Sequence, residues 1–275
     1  MIGAVVGDIA GSVYEFDNIK TKDFVLFADH NGHSCGFTDD TVMTMAVALA
    51  LVAAKDDWTK LPGYVDTAMH ELGTRYPDAG YGERFGMWIF LDGHEPYNSF
   101  GNGAAMRVSP VAYAAKDISE VKYLSRLVTG ITHNHPEGLK GAEAAAVCTW
   151  MALHGYSKQK ILDCVSDQYY DISFSLDEIR PTYSFNETCQ NTVPQAIVAF
   201  RESVGFEDAI KNAVSLGGDS DTLACITGAI AGAYYGIPAE IYQKAVECLD
   251  GRLRTILETF EKQFGHFRAC GGKHV

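Results

Sequence analysis

The sequence has few of the features that mark secreted, membrane or zinc–thiolate proteins. Its seven cysteines are odd in number, widely spaced and without a CxxC pair, which argues against a disulfide framework. The longest apolar run, residues 223–235, has 13 residues and is too short to cross a bilayer. The N-terminal stretch lacks a basic segment and carries Asp8 among apolar residues, so we expect no signal peptide. We therefore expect a cytoplasmic protein that does not associate with membranes.

Positive charge is also scarce. The 275 residues include 22 Lys and Arg against 35 Asp and Glu, for a formal net charge of −13, and no segment is rich in Lys or Arg. An acidic surface repels phosphate backbones, so we expect no nucleic-acid partner. Hydrophobic residues make up 47% of the chain, enough to bury a core, and neither repeats nor a low-complexity linker divides it. We predict one domain over residues 1–275.

Alternating strand-like patterns are rare, whereas Ala-rich segments with apolar residues at i, i+3 and i+4 recur along the chain. The pattern predicts helices over 41–55, 138–155, 192–203, 206–218 and 222–236. Pro194 is assigned to the first turn of its helix, and Gly155 and Gly236 to positions just past helix ends. The fold class is therefore predicted to be all-α.

Two sets of glycines recur every four residues within predicted helices. The first set is Gly3, Gly7 and Gly11, and the second is Gly228, Gly232 and Gly236. Each glycine inside a helix costs about 1 kcal/mol relative to alanine, so we expect compensation through close approach of two helices. Tight packing alone is the simpler interpretation. The alternative is that this packing also brings the two flanking polar motifs into one site.

Those polar motifs, 37–41 (FTDDT) and 217–222 (GGDSDT), each place two carboxylates and a hydroxyl at a predicted helix start. Helix capping and the helix dipole account for one such residue per helix. They do not account for the two carboxylates and the threonine that occur together in each motif. On a regular helix Asp219 and Asp221 would point about 200° apart, so they converge only if the backbone before the helix stays irregular.

The donor chemistry of these motifs favours a hard cation. Carboxylates held close together repel each other unless a cation lies between them. Asp and Thr oxygens without Cys or His nearby suit Mg²⁺ or Mn²⁺, and four carboxylates are more than one Mg²⁺ usually takes. We predict a metal site with two ions, with helix caps and surface charge as the alternative.

Five blocks of the sequence together resemble the ADP-ribosylglycohydrolase family, which includes the activator of nitrogenase reductase and eukaryotic ADP-ribosyl hydrolases. The blocks, in the family's order, are GAVVGDIAGSVYE (3–15), FTDDTVM (37–43), GNGAAMRVSP (101–110), THNHPEGLKGAEA (132–144) and GGDSDTLACITGAIAGAYYG (217–236). Each block by itself is moderately specific for the family, and the five blocks in order make the resemblance strong. The resemblance implies a compact orthogonal helical bundle around a binuclear Mg²⁺ or Mn²⁺ centre.

The resemblance also implies a role for particular residues. The implied metal ligands are Thr38, Asp39, Asp40, Asp219, Asp221 and Thr222, with Asp221 bridging the two ions. Glu15 matches a glutamate beside the metals, and we expect Glu15, Asp39 and Asp221 to be catalytic. The expected substrate-binding residues are Ser99, Phe100, Gly101, Asn102, Gly103 and His133.

The glycines of the GNG sequence would let backbone N–H groups approach a diphosphate, although GNG by itself is a common turn. Near these blocks, Met106 is expected in the core and Arg107 as a buried ion-pair partner. Tyr14 and Phe16, on either side of Glu15, are expected to pack in the core rather than stack on a ligand.

The implied reaction is hydrolysis of the bond between ADP-ribose and a protein side chain, with an N-glycosidic arginine linkage as first choice. The partner would be an ADP-ribosylated protein or an ADP-ribose derivative, and the loop 73–98 is expected to select the linkage. O-linked ADP-ribose (serine or O-acetyl-ADP-ribose) is the alternative substrate. A different metal-dependent phosphatase or nucleotidase and a non-catalytic ADP-ribose-binding or structural relative are the alternative functions.

Overall fold

Helices and connecting loops make up the described part of the chain, residues 1–91 and 94–265 of the computed structural model, and no β-strand occurs there. The helices are α1 (Ile2–Gly11), α2 (Asp39–Ala54), α3 (Leu61–Arg75), α4 (Glu83–Phe90), α5 (Gly103–Met106), α6 (Val111–Ala114), α7 (Ile118–Thr129), α8 (Pro136–Leu153), α9 (Lys158–Gln168), α10 (Leu176–Ile179), α11 (Cys189–Arg201), α12 (Phe206–Val214), α13 (Ser220–Tyr235), α14 (Ala239–Cys248) and α15 (Gly251–Phe264). The predicted all-α class is confirmed.

Three of the predicted helices, which became α2, α8 and α13, have bounds within two residues of those expected. Their apolar faces pack into one continuous core together with most of the other helices. Within residues 1–91 and 94–265, none of the helices combines the length and the apolarity that crossing a membrane would require. The prediction of a single domain over the whole chain stays a prediction.

The helix expected over 192–203 begins three residues earlier, at Cys189, so the placement of Pro194 in the first turn was wrong. Pro194 lies at the sixth position of α11. The earlier start has a tertiary cause, because the Cys189 N–H donates to the Phe100 carbonyl at 3.0 Å and holds the chain there. No local sequence signal reports that contact.

The helix expected over 206–218 ends at Val214, four residues early. Gly217 and Gly218 adopt left-handed backbone angles, with φ of 66° and 72°, which helical residues do not have. This pair therefore ends one helix and leads irregularly into α13, as the convergence of Asp219 and Asp221 requires.

The glycine-rich faces of α1 and α13 pack directly on each other, as predicted for close helix approach. A Cβ at Gly3 would overlap the carbonyl of Gly228, and a Cβ at Gly7 would overlap the carbonyl of Ala224. Gly236 differs from its set, because it follows the end of α13 with φ of 76°. This contact joins the N-terminal block of the chain to the second acidic motif.

Gly7→Ala is expected to destabilise the protein by about 3 kcal/mol, since overpacking a close helix contact forces the backbones apart. Chemical denaturation followed by circular dichroism measures this change. Gly63→Ala is the matched control, because Gly63 lies in α3 and a Cβ there would meet nothing within 4 Å. The control is expected to gain about 0.5–1 kcal/mol from helix propensity. Equal stability of the two variants would contradict the packing interpretation.

Candidate active site

The first acidic motif is held in place by Asp8, a fully buried residue of α1. One Asp8 oxygen accepts hydrogen bonds from the N–H groups of Thr38 and Thr41, both at 3.0 Å. The other accepts from the Thr38 hydroxyl at 2.7 Å. Burial raises the pKa of Asp8, and the hydrogen bonds from Thr38 and Thr41 oppose that rise. Asp8 thus caps α2 from a different helix, together with the N-cap Thr38, whose hydroxyl oxygen accepts from the Asp40 N–H at 3.4 Å. The carboxylates of Asp39 and Asp40 are left out of the capping role.

The two acidic motifs meet where α2 and α13 begin. The Thr222 hydroxyl donates to Asp40 Oδ2 at 3.1 Å, and Thr38 Oγ1 lies 3.4 Å from Asp221 Oδ2. Each threonine therefore contacts an aspartate of the other motif. The packing of α1 on α13 thus brings the two predicted ligand sets together, as the second interpretation of the glycine pattern required.

Glu15 lies beside the second motif, just after the short 3₁₀ turn Ser12–Tyr14. One carboxylate oxygen from each of Glu15, Asp219 and Asp221 falls within 4.8 Å of the others. Asn18 holds this arrangement, because its amide donates to the Glu15 carbonyl at 2.9 Å and its Oδ1 accepts from the Gly218 N–H at 2.7 Å. The catalytic candidate and the glycine turn are therefore joined by one side chain.

The glycine-rich loop that precedes α5 is anchored to the acidic cluster by Asn102. The Asn102 amide donates to Asp219 Oδ2 at 2.6 Å and to Thr192 Oγ1 at 3.2 Å. The Asn102 N–H donates to the Glu187 carbonyl at 2.7 Å. Because its side chain is occupied in this way, Asn102 positions Asp219 as well as the loop.

His133 lies against the glycine-rich loop, and its hydrogen bonds determine where its proton sits. Arg107 Nη2 lies 3.2 Å from His133 Nδ1, and a guanidinium can only donate, so Nδ1 is the accepting nitrogen. Burial, and then the charges of Arg107 and Arg84, hold the pKa of His133 well below its usual range. Neutral His133 therefore carries its proton on Nε2, which lies 3.4 Å from the position that a Cβ would take at Gly101 and at Gly103.

Arg107 is buried, as predicted, but the prediction of an ion pair was wrong within the described residues. Its guanidinium lies 5.0 Å from the centre of the Phe85 ring and donates to Thr132 Oγ1 at 2.6 Å. Burial lowers its pKa to about 10, so it keeps its charge near neutral pH. Because an aromatic ring and a hydroxyl hold this guanidinium without neutralising it, its positive charge can attract an anion in the cleft.

These residues surround a cleft of about 360 Å³. Among the predicted site residues, those that line it are Glu15, Asp39, Asp40, Ser99, Gly101, Asn102, Gly103, His133, Asp219, Asp221 and Thr222. Thr38 contacts the cluster from behind, and Phe100 is 40% exposed, with its ring 5.1 Å from that of His135. This volume is within the usual range for a small-molecule site.

The segment 73–98 contributes one wall of the cleft, but it is not the continuous loop that was expected. It contains the end of α3 and all of α4. Its cleft-lining residues are Gly80, Gly82, Glu83, Arg84, Phe85 and Tyr97. The correction has a physical cause, since Phe85 and Trp88 stack at 5.7 Å and bury the apolar side of a short amphipathic helix.

The aromatic residues that flank Glu15 behave differently from each other. Tyr14 is buried against Phe24 and His30, as expected. Phe16 is 86% exposed, so its expected place in the core was wrong. It stacks on Phe185, a cleft-lining residue, at 6.0 Å between ring centres. Met106 is buried, as expected, and also reaches the cleft wall.

The cluster of carboxylates fits a bound cation. Burial, and then repulsion from neighbouring carboxylates, raises the pKa of Asp39, Asp40 and Asp221 well above the usual range. Asp40 Oδ1 is buried, and no hydrogen-bond donor reaches it among the described residues. Buried carboxylates of this kind are stable in their charged form only with a cation beside them. All the donor atoms are oxygens, which suits Mg²⁺ or Mn²⁺.

Asp8, Asn18, Phe185 and Glu187 are among the site residues that sequence reasoning missed. The signal for Asp8 was present, since a carboxylate inside an apolar helical stretch needs a buried partner. No comparable signal marked Asn18 or Glu187, because their contacts come from segments distant in the sequence.

The fold and the site together define an all-α protein with a buried carboxylate cluster beside a glycine-rich cleft. Comparison with known proteins then identifies its family. A family model described as ADP-ribosylglycohydrolase matches residues 1–269. The chain belongs to the ADP-ribosylglycohydrolase family. It is therefore an enzyme that hydrolyses glycosidic bonds of ADP-ribose and acts on ADP-ribosylated substrates.

Individual relatives agree with this assignment. The chain is similar to mouse ADP-ribosylhydrolase ARH3, with 28% identity over 90% of this chain and 86% of the relative. It is also similar to ADP-ribosylarginine hydrolase Tri1 of Pseudomonas putida (strain GB-1), with 26% identity over 86% of this chain and 70% of that relative. A solved structure named ADP-ribosylglycohydrolase-related protein complex has a TM-score of 0.71, 22% identity and 96% coverage of both chains, and therefore shares the fold.

Proposed function

We propose that this chain is a single-domain, metal-dependent hydrolase that removes ADP-ribose from the guanidinium nitrogen of ADP-ribosylated arginine. The supporting observation is the acidic character of the cleft, where Glu15, Glu83 and Glu187 accompany the buried aspartates. A cationic guanidinium is attracted to such a site, whereas a neutral serine side chain is not. The name of the Tri1 relative, an ADP-ribosylarginine hydrolase, agrees with this choice.

The anionic end of the substrate would bind on the opposite side of the cleft. The N–H groups of Gly101 and Asn102 already donate to Ser99 Oγ and to the Glu187 carbonyl, so the donors suited to the diphosphate are the Gly103 N–H and the Nε2–H of His133. Arg107 supplies a positive field from beneath. Contacts to these remote groups would hold the ribose C1″ near the carboxylates, so binding energy is used to orient the reacting bond.

In the reaction, the C1″–N bond breaks, a C1″–O bond to water forms, and one water proton goes to the leaving guanidine. Bond breaking builds positive charge on the ribose, which the nearby carboxylates stabilise. Burial, and then the charge of Asp219, raises the pKa of Glu15 to about 7 in the metal-free protein, and the Glu15 carboxylate lies beside those of Asp219 and Asp221, within reach of a bound ribose. We assign the proton transfer to Glu15.

Two Mg²⁺ or Mn²⁺ ions would be held by Thr38, Asp39, Asp40, Asp219, Asp221 and Thr222. When bound, they supply Lewis-acid binding of ribose hydroxyls and of water. The chain's own contribution is to hold these oxygens together, through Asp8 on one side and Asn102 on the other.

The proposed linkage is tested with matched peptides that carry ADP-ribose on arginine or on serine, assayed for release of free ADP-ribose with Mg²⁺ and with EDTA. We expect Mg²⁺-dependent release from the arginine peptide. Release from the serine peptide alone would replace the arginine proposal with an O-linked substrate, and phosphate release from simple nucleotides would indicate a phosphatase or nucleotidase.

Glu187→Gln is expected to raise KM for the arginine peptide by roughly three- to tenfold and to change kcat little, because a charge at the cleft wall contributes about 1 kcal/mol to binding. Glu258→Gln, an exposed residue of α15, is the matched control. The affinity for free ADP-ribose should not decrease in either variant. An unchanged KM in Glu187→Gln would remove the electrostatic argument for arginine.

Removal of metal is expected to lower thermal stability, because the ions offset repulsion among buried carboxylates. A ligand at a hundredfold its Kd stabilises a protein by about 2.7 kcal/mol, which for a chain of this size shifts Tm by roughly 5–10 °C. Thermal unfolding is measured with EDTA and after Mg²⁺ is added back. An unchanged melting curve in protein shown to be demetallated would contradict the assignment of the cluster as a metal site.

A further inference from the structure

A second group of metal-ligating side chains lies outside the cleft, on α3 and after α4. Asp66 and His70 are one turn apart on α3, and His94 follows α4. His94 Nδ1 lies 2.9 Å from Asp66 Oδ2, and His70 Nδ1 lies 3.7 Å from Asp66 Oδ1. One ligand atom from each residue falls within 4.8 Å of the others. None of the three lines the cleft.

Both ring nitrogens of His70 face backbone carbonyl oxygens. Its Nδ1 lies 2.9 Å from the Asp66 carbonyl oxygen, and its Nε2 lies 3.2 Å from the Trp88 carbonyl oxygen. A carbonyl oxygen only accepts, and a neutral imidazole has a single N–H. The ring can therefore donate to only one of the two carbonyls, and its other nitrogen keeps a lone pair that can bind a metal ion. A hydrogen bond from Nε2 to Trp88 would leave the Nδ1 lone pair for a metal beside Asp66 and His94.

We propose that Asp66, His70 and His94 bind one divalent transition-metal ion of the zinc type, with water at its open position. Two imidazoles and a carboxylate form a nitrogen-rich donor set that suits Zn²⁺, Co²⁺ or Ni²⁺ and disfavours Mg²⁺. The site therefore differs in metal preference from the all-oxygen cluster of the cleft. The side chains of Asp66 and His70 are only partly buried, so an ion can enter from solvent.

The position of this site links it to the cleft wall. His94 is three residues before Tyr97 and five before Ser99, both of which line the cleft. An ion bound by His94 and by two residues of α3 would fasten the segment that leads into these residues. The proposal is independent of the substrate linkage, since it concerns metal binding alone.

The experiment uses the full chain, stripped of metal and then saturated with Mg²⁺, so that the oxygen cluster is occupied. Zn²⁺ is titrated by calorimetry, and Co²⁺ by its visible absorption and by quenching of tryptophan fluorescence. Trp88 is a built-in reporter, because its ring centre lies 4.3 Å from that of His70. We expect one equivalent of tightly bound ion, with affinity lowered more than about tenfold in Asp66→Asn and in His94→Gln.

His154→Gln is the matched control. Like His70, His154 has an Nδ1 that faces the carbonyl four residues earlier, at 2.8 Å, and a ring that lies near a tryptophan, at 3.8 Å between ring centres. The residue four positions before it is Trp150 rather than an aspartate. This variant should keep wild-type Zn²⁺ affinity and wild-type Co²⁺ absorption.

Asp221→Asn separates the two metal sites. If this variant still binds one equivalent of Zn²⁺ while His94→Gln does not, the ion is bound at the site proposed here. Equal Zn²⁺ affinity in the wild type and His94→Gln, or loss of Zn²⁺ only in Asp221→Asn, would overturn the proposal. The absence of any Zn²⁺ binding in the Mg²⁺-saturated wild type would also overturn it.

Discussion

Asp221→Asn is expected to lower kcat for an ADP-ribosylated peptide by roughly 10³-fold or more, which corresponds to about 4 kcal/mol in the barrier. Asp221 is buried, lies within reach of Glu15 and Asp219, and contacts Thr38 of the other motif. The amide keeps the shape of the side chain but removes the charge that a shared cation needs. Steady-state kinetics measures the loss of turnover, and calorimetry with Mn²⁺ measures the number of ions bound.

Misfolding is distinguished from loss of metal by the stability of the metal-free protein. Because Asp221→Asn removes one of several repelling buried charges, the metal-free variant should melt at or above the metal-free wild type. Asp167→Asn, at an exposed position of α9, should keep wild-type activity and metal content. If Asp221→Asn and Asp39→Asn both kept the wild-type metal stoichiometry, the ligand assignment would be wrong.

Glu15→Gln is expected to slow hydrolysis by about 10²–10⁴-fold while binding ADP-ribose nearly as well as the wild type does, since loss of a general acid or base affects the chemical step. The backbone carbonyl of Glu15 still accepts from Asn18, so the local fold should survive. Single-turnover kinetics measures the chemical step, and calorimetry with ADP-ribose measures binding.

Glu258→Gln also serves as the exposed glutamate control for this change. Near-normal turnover in Glu15→Gln would remove Glu15 from the proton transfer. A parallel loss of ADP-ribose affinity and turnover would instead assign it a binding role.

Much of the site was predictable because its residues carry local signals. Paired aspartates with threonine at two helix starts exceed what capping requires, and the glycine spacing in α1 and α13 predicts a close helix contact. The structure confirms that contact and brings both motifs to one cleft. Metal ligation and catalysis by these residues stay predictions.

Other features could not be predicted, because they depend on contacts between distant segments. The Arg107 side chain was expected to pair with a carboxylate, yet it lies on Phe85 and orders the proton of His133. Phe16 was expected in the core, yet it stacks in solvent on Phe185, 169 positions later. Sequence periodicity reports which residues are apolar, but not which partner is available after the helices pack.

The sequence by itself determined the helical class, the pairing of two glycine-rich helices and the oxygen-rich character of the acidic motifs. Each follows from short-range physics: helical periodicity, the absence of a Cβ, and the chemistry of carboxylates. Only the tertiary structure decided that Asp8 caps α2, that Asn18 joins Glu15 to Gly218, and that Asp66 meets His94. Those contacts join residues 28 to 200 positions apart, and the packing of whole helices, rather than any local preference, determines them.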